Sequence, residues 1–142
     1  MSGVVHMSAE PHWPSADTWL LLSVHDSRKW RLWTRWVSLR AIVGTADAIN
    51  HAIPTEDEFD GAARRLSAAG LLAVDGDRLS LTPSGRKLMR DVRAKSWHDE
   101  WGKLVKVLET KPMPDADLGQ GFPPGAFDHA VASYLRDHGM EA

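Results

Sequence analysis

The part of the sequence that most constrains the fold begins at Thr55, where the residues TEDE form a helix capping box. The Thr55 hydroxyl can accept an early backbone N–H of a helix, and the Glu58 carboxylate can reach back to the N–H of the cap. Gly70 lies where a left-handed residue commonly ends a helix. Between these signals, apolar residues recur at the spacing of one helix face, at Phe59, Ala62, Ala63, Leu66 and Ala69. The sequence therefore predicts a helix with a defined beginning, a defined end and one buried face.

A β-hairpin and a further helix are predicted directly after Gly70. Asp75 and Gly76 favour a tight two-residue turn between two strands. Apolar residues alternate with small or polar ones on both sides of this turn, at Leu72, Val74, Leu79 and Leu81. Thr82 then suits a helix cap and Pro83 the first helical residue, because the N–H that proline lacks would have no intrahelical partner there.

Two helices are predicted before this region. The first begins after Ser15 or Asp17, and its almost continuous apolar run suits a buried helix. The second covers residues 38–50 and has Ser38 as its cap. The period of the sequence between them fits a short helix as well as an extended segment.

After the hairpin, the helical pattern that starts at Ser84 continues to about Thr110, with Gly102 as a point where the helix could bend or divide. Residues 111–125 are rich in proline and glycine and have no periodicity, which is typical of a linker. A short final helix follows. We therefore expect three parts, namely a flexible arm over residues 1–14, a main domain over residues 15–110, and the linker with its C-terminal helix over residues 111–142.

The composition restricts the classes of function. The 142 residues carry a formal net charge of −2, so any affinity for nucleic acid must come from a local patch. The chain has no cysteine, which excludes disulfides and thiolate metal sites and is typical of a reducing cytoplasm. We see no signal peptide and no apolar run of the roughly 18 residues that a membrane span requires. A cytoplasmic protein without a membrane partner is expected.

No catalytic or metal-binding pattern is found in the sequence. The seven histidines lack the spacing of metal ligands, and the His-Asp-Glu triplet at residues 98–100 would point to different faces of a helix. The GQG sequence at residues 119–121 lies in the linker, without the preceding strand that a phosphate-binding loop needs. We therefore expect no metal, no cofactor and no enzymatic activity.

The order of these elements resembles the winged helix-turn-helix superfamily of bacterial regulators, and most closely the MarR and PadR families. The similar motifs are AAGLL at the end of the third helix, the DGD hairpin and the phrase LTPSGRKL. The segment DAINHAIPTEDEFDGA is also similar to an uncharacterised group of bacterial winged-helix proteins. The resemblance covers residues 17–90. It implies an α+β, mostly α fold: a winged helix-turn-helix with a two-stranded wing, a long C-terminal helix and a short terminal helix.

The function that this resemblance implies is a DNA-binding transcriptional regulator whose third helix enters the major groove. That helix begins with four acids, Glu56, Asp57, Glu58 and Asp60. Acids stabilise a helix N-terminus, but they repel the phosphates on which affinity for DNA mainly rests. The candidate contacts are Arg64 and Ser67 on the third helix, Arg78 on the wing, and Arg40, Arg86 and Lys87 for phosphates.

Two basic segments could hold the DNA backbone if they face the same side of the molecule. The first has no acid among its cations and is interleaved with tryptophans, and the second lies at the start of the helix after the wing. Their cations are Arg28, Lys29, Arg31, Arg35 and Arg40, and Arg86, Lys87, Arg90, Arg93 and Lys95. The tryptophans among them, Trp30, Trp33 and Trp36, could stack on bases or simply cover the core.

The acidic third helix leaves a second interpretation open. A winged helix that no longer binds DNA could be a protein-interaction or dimerisation module, with a charged protein partner on that helix. Trp97 and Trp101 lie one turn apart on the predicted helix and predict an interface, or seam, between two copies of the chain. In the alternative interpretation the last helix of the same chain covers them through Phe127 and Tyr134. The candidate dimer or packing residues are Trp97, Trp101, Leu104 and Leu108. A homo-oligomer is expected.

Overall fold

The computed structural model of the chain describes residues 13–29 and 35–139. Within these residues there are six α-helices and three short strands, so the predicted α+β class, mostly α, is confirmed. A 3₁₀ turn, Ala116–Leu118, precedes the last helix. In chain order the elements are α1 Ser15–Lys29, β1 Val37–Ser38, α2 Leu39–Asn50, α3 Glu56–Ala68, β2 Leu72–Asp75, β3 Arg78–Leu81, α4 Pro83–Asp91, α5 Trp97–Glu109 and α6 Ala126–Asp137.

The three strands form one antiparallel sheet in the order β1-β3-β2. The hairpin of β2 and β3 lies where it was expected, but its turn comes one residue later. Asp75 pairs with Arg78, which leaves Gly76 and Asp77 as the turn residues. Gly76 has a φ of +62°, a left-handed conformation that favours glycine.

The strand β1 adds to the predicted elements and fixes α2 to the hairpin. Val37 is fully buried and pairs with Leu79 of β3. The next helix begins at once, because the Ser38 side chain caps it by accepting from the N–H of Ala41. The N–H of Leu39 donates to Asp77 in the hairpin turn, at 2.9 Å.

The core is built around α1, which packs against α2, α3 and α5. The indole N–H of Trp19 donates to the carbonyl of Ala46 in α2 at 3.0 Å. Its ring meets Phe59 of α3 edge to face, with ring centroids 5.2 Å apart, and Phe59 in turn meets Phe127 of α6 at 6.1 Å. The predicted apolar run of α1 is buried throughout, at Trp19, Leu20, Leu21, Leu22 and Val24.

The prediction of one long helix from Ser84 to Thr110 is wrong, because the chain breaks between α4 and α5 and not at Gly102. Ser96 caps the second helix by accepting from the N–H of Asp99 at 3.2 Å. The buried Glu100 carboxylate also accepts from the backbone N–H of Ala94 at 3.2 Å. These side chains satisfy backbone groups that a continuous helix would satisfy internally, and so they stabilise the break.

The C-terminal helix α6 packs on α2 of the same chain. The Tyr134 hydroxyl donates to the Asp47 carboxylate at 2.7 Å, and this bond raises the pKa of Tyr134. A Cβ at Gly44 would lie only 3.1 Å from the Tyr134 ring, so glycine permits the close approach of the two helices.

Only part of the predicted arm can be described. Residues 1–12 lie outside the described residues, as do Trp30 and Trp33. Trp13 is tied to the body of the molecule, because its indole N–H donates to the carbonyl of Lys111 at 3.2 Å and its ring packs against the core.

Candidate nucleic-acid interface

The helix α3 has the cap and the buried face that the sequence predicts. The Thr55 hydroxyl accepts from the N–H of Glu58 at 3.2 Å, and the Glu58 carboxylate accepts from the N–H of Thr55 at 2.8 Å. Ala69 is exposed, contrary to the prediction, because it is the cap residue beyond the last turn of the helix. The buried side chains are Phe59, Ala62, Ala63 and Leu66.

The part of the outer face of α3 that carries Asp60 and Ser67 is covered by residues 119–122 of the linker, which we call the strap, whereas Asp57 stays exposed and Arg64 is half-exposed. The backbone N–H of Gln120 donates to the Ser67 hydroxyl at 2.8 Å. The backbone N–H of Phe122 donates to the Asp60 carboxylate, also at 2.8 Å. The Phe122 ring is buried and stacks on Phe127, with centroids 5.9 Å apart, so the end of the strap is anchored in the core.

Two glycines allow the strap to lie directly on the helix. A Cβ at Gly119 would be 1.8 Å from the carbonyl oxygen of Arg64, which belongs to the helix backbone and cannot turn away. A Cβ at Gly121 would be 2.3 Å from a carboxylate oxygen of Asp60. The strap therefore contacts the backbone of α3 and not only its side chains.

The two candidate contacts on α3 lie under or beside this strap. Ser67 accepts from Gln120 of the strap, and its hydroxyl also donates to the Arg64 carbonyl at 3.2 Å. The Arg64 guanidinium pairs with Asp60, one turn earlier, at 2.9 Å, and this hydrogen bond raises the pKa of Arg64. In this conformation both side chains already have hydrogen-bond partners inside the chain.

The next residue of α3, Arg65, is turned inward and pairs with Asp17 of α1. Its guanidinium donates to both carboxylate oxygens at 2.7–3.1 Å. The Asp17 side chain is fully buried, and this burial raises the pKa of its carboxyl although the bonds from Arg65 act to lower it. The pair joins two helices of the core and is not part of an outer surface.

The hairpin carries the remaining candidate for base contact. Arg78 is exposed and pairs with Asp75 across the turn at 3.1 Å. Its guanidinium carbon also lies over the ring of Trp36, 5.6 Å from the ring centroid. This geometry is typical of a cation–π contact. Trp36 thus supports a cation at the tip of the hairpin.

The three candidates for phosphate contact lie in separate places. Arg40 pairs with Asp137 of α6, and Lys87 pairs with Asp91 one turn later in α4 at 2.9 Å. Arg86 donates to the carbonyl of Leu81 at the base of the hairpin, at 3.0 Å. Arg64, Ser67 and Arg78 are also bonded within the chain. All six predicted contact residues therefore have a partner inside the chain.

Four arginines from the two predicted basic segments form a cluster where α1, the approach to β1 and α4 meet. We call Arg28, Arg35, Arg86 and Arg90 the arginine cluster. Burial lowers the pKa of the Arg86 guanidinium, and the positive charges of the other three members lower it further. Among the described residues, no carboxylate lies within ion-pair distance of any member, and Arg28 has a buried N–H with no hydrogen-bond partner. The two basic segments of the sequence thus meet in space.

The predicted seam of α5 is only partly at the surface. Leu104 and Leu108 are fully buried inside one chain, where α5 packs on α1, so they cannot meet a second copy. Among the described residues no ring contact joins the two tryptophans of α5 to Phe127 or Tyr134 of α6, although Trp97 and Tyr134 border the same cavity. Trp97 is 40% exposed and meets the half-buried Trp101 edge to face, with centroids 6.3 Å apart. Trp97 also borders a cavity of about 590 Å³ between α2 and α6.

Within residues 13–29 and 35–139, no group of histidine and acidic side chains has the arrangement of a metal site. No helix in the same residues is long and apolar enough to span a bilayer. No family model, no curated protein and no solved structure matches the chain.

Proposed function

We propose that the chain is a cytoplasmic winged-helix DNA-binding protein of the transcriptional regulator type, and that it holds duplex DNA through the arginine cluster. The order of α1, β1, α2, α3 and the hairpin supports the winged-helix assignment. The observation that carries the proposal is the convergence of four arginines from three parts of the chain, none of which forms an ion pair among the described residues.

Electrostatics explains why such a cluster favours a polyanion. Like charges that are brought together repel each other, and Arg86 also loses part of its hydration in the cluster. Phosphates would reverse this cost, because a guanidinium offers two parallel N–H groups to phosphate oxygens. Binding would release counterions from the duplex and would therefore weaken as the salt concentration rises.

The hairpin supplies a second support for this surface. Arg86 is bonded to Leu81 at one end of β3, and Arg78 lies at the other end, about 10 Å away at the rise of a β-strand. Cations thus lie at both the base and the tip of the hairpin. Contacts of this kind position a protein on the duplex without recognising its sequence.

The proposal is tested by salt-dependent binding to a random-sequence duplex. We expect wild type to bind at low salt, and the double variant Arg35→Ala/Arg90→Ala to lower the slope of log K against log salt by roughly 0.9 for each lost phosphate contact. Both residues are exposed and have no bonded partner among the described residues, so the fold should not change. The double variant Lys106→Ala/Arg136→Ala removes the same charge from α5 and α6 and serves as the control. Equal slopes in the two variants, or no binding by wild type at low salt, would refute the proposal.

A second candidate function is favoured by the covered face of α3 and the exposed Trp97. A chain whose third helix cannot reach a base could act as a protein-interaction or dimerisation module, with Trp97 and Trp101 in the contact. Sedimentation of wild type and of Trp97→Ala at micromolar concentration tests this idea. A dimer that the substitution dissociates would support it, whereas a monomer in both cases would remove self-association.

A further inference from the structure

We propose that the strap is an autoinhibitory cover, which blocks contact between α3 and DNA bases while it is in place and exposes a base-contacting face when it is displaced. This inference rests on the proposed function, because it assumes that the chain meets DNA. It concerns a different property, namely whether binding selects a sequence.

The strap occupies the positions that a base edge would need. Its backbone N–H groups bond to Ser67 and Asp60, and its Gly119 lies against the Arg64 carbonyl. Displacement of residues 119–121 would free the Ser67 hydroxyl from its bond to Gln120. Arg64 could then exchange its pairing with Asp60 for an acceptor on a base, since arginine is the commonest side chain that contacts guanine.

The cover is held weakly enough to open. The turn Ala116–Leu118 before the strap has no buried residue, and Leu118 is 80% exposed. The hydrogen bond from Gln120 to Ser67 and the close glycine contacts hold residues 119–121, whereas Phe122 is anchored by its N–H bond to Asp60 and by its ring on Phe127. The segment before Phe122 can therefore lift while α6 stays packed on α2.

Gly119 gives a sharp test, because it is close to the helix but has an ordinary backbone conformation. Its φ of −99° and ψ of −177° can be adopted by any residue. The substitution Gly119→Ala therefore acts through the clash with the Arg64 carbonyl and not through backbone strain. Gly102→Ala is the matched control, because Gly102 lies in α5 with no atom near its would-be Cβ.

The displacement itself is measured by amide hydrogen exchange in the full chain. We expect the amide of Gln120 to exchange at least tenfold faster in Gly119→Ala than in wild type, and an unchanged rate in Gly102→Ala. Unchanged rates in Gly119→Ala, in a protein that keeps its circular dichroism spectrum, would contradict the cover as described. If Gly119→Ala loses its circular dichroism spectrum, the same exchange measurement is made on Ser67→Ala, which removes the Gln120 bond without a clash.

Sequence preference is measured by selection from a pool of randomised duplexes at fixed salt. The displaced variant should enrich a motif that wild type and Gly102→Ala do not, and should bind the enriched duplex at least tenfold more tightly than wild type does. Faster exchange without any enriched motif would overturn the autoinhibitory role while leaving phosphate binding intact. Failure of every protein to bind the random pool at low salt would instead overturn both proposals.

Discussion

The two faces of α3 are buried in different ways. The inner face is covered by side chains, with Phe59 between Trp19 and Phe127. The outer face is covered by backbone, which reaches the helix through two glycines and two N–H groups. Apolar packing on one side ties the helix to the core, whereas the backbone contact on the other side is small and polar. We infer that the first holds the fold and that the second can be changed without losing it.

Two neighbouring arginines show the same contrast. Arg65 makes a bidentate pair with a fully buried Asp17, and Arg64 makes a single bond to Asp60 at a half-exposed site. Both pairs are about equally short, at 2.7 and 2.9 Å. Their surroundings differ, because a carboxylate without its partner is tolerated in water and is costly in the core.

The largest effect is expected on the inner face. Phe59→Ala should lower the free energy of unfolding by roughly 3–5 kcal/mol, because it removes the ring that links α1 to α6 and leaves a cavity. Chemical denaturation measures this loss. Asp57→Ala, at an exposed position of the same helix, is the control and should change stability little. A loss below about 1 kcal/mol for Phe59→Ala would mean that the inner face does not hold the helix.

The arginine pair gives the next prediction. Arg65→Ala should cost about 3 kcal/mol or more, because it leaves the Asp17 carboxylate buried and unpaired. Arg64→Ala should cost far less, as for other solvent-exposed pairs one turn apart on a helix. Urea unfolding of both variants compares the same substitution at adjacent positions. Similar losses of unfolding free energy in the two variants would contradict the contrast between the inner and the outer face.

A smaller effect is expected from pH. Burial raises the pKa of Asp17 above its ordinary value of 3.8, so the folded state binds this proton more tightly than the unfolded state. The stabilisation from Asp17 is therefore fully present when the pH is below 3.8, the ordinary pKa, and is lost as the pH rises through the pKa of the folded state. Asp17→Asn cannot titrate, so its stability relative to wild type should increase between pH 3 and pH 7. A constant or falling difference would contradict the raised pKa.

A small and local effect is expected on the outer face. Ser67→Ala removes the acceptor for the Gln120 N–H and should cost about 1 kcal/mol. Thermal unfolding measures the cost, and amide exchange at Gln120 shows whether the loss is confined to the strap. A cost equal to that of Phe59→Ala would place the outer face among the contacts that hold the fold.

Local signals predicted most of the secondary structure. The capping box at Thr55, the cap at Ser38 and the glycine turn at Gly76 depend on residues a few positions apart, and all three are found. The break between α4 and α5 was harder to predict, because the apolar pattern continues across it and the signal is the single cap Ser96. The strand β1 also escaped prediction, since two residues have no period of their own.

The candidate site was less predictable. The sequence indicated which cations might contact DNA, but not that Arg40 would pair with Asp137, which lies 97 positions further along the chain. It showed both basic segments, but not that Arg28, Arg35, Arg86 and Arg90 would come together. Pairing and clustering depend on distances between elements, and a pattern along one element carries no information about them.

The sequence alone determined which residues of α3 point toward the core, because helix periodicity and capping are properties of neighbouring residues. Only the tertiary structure decided whether the opposite face would be open, since the segment that covers it follows more than fifty positions later. No pattern along the sequence of α3 predicts that this face is covered. It depends on two glycines in a linker without periodicity, whose role becomes visible only once the two backbones lie against each other.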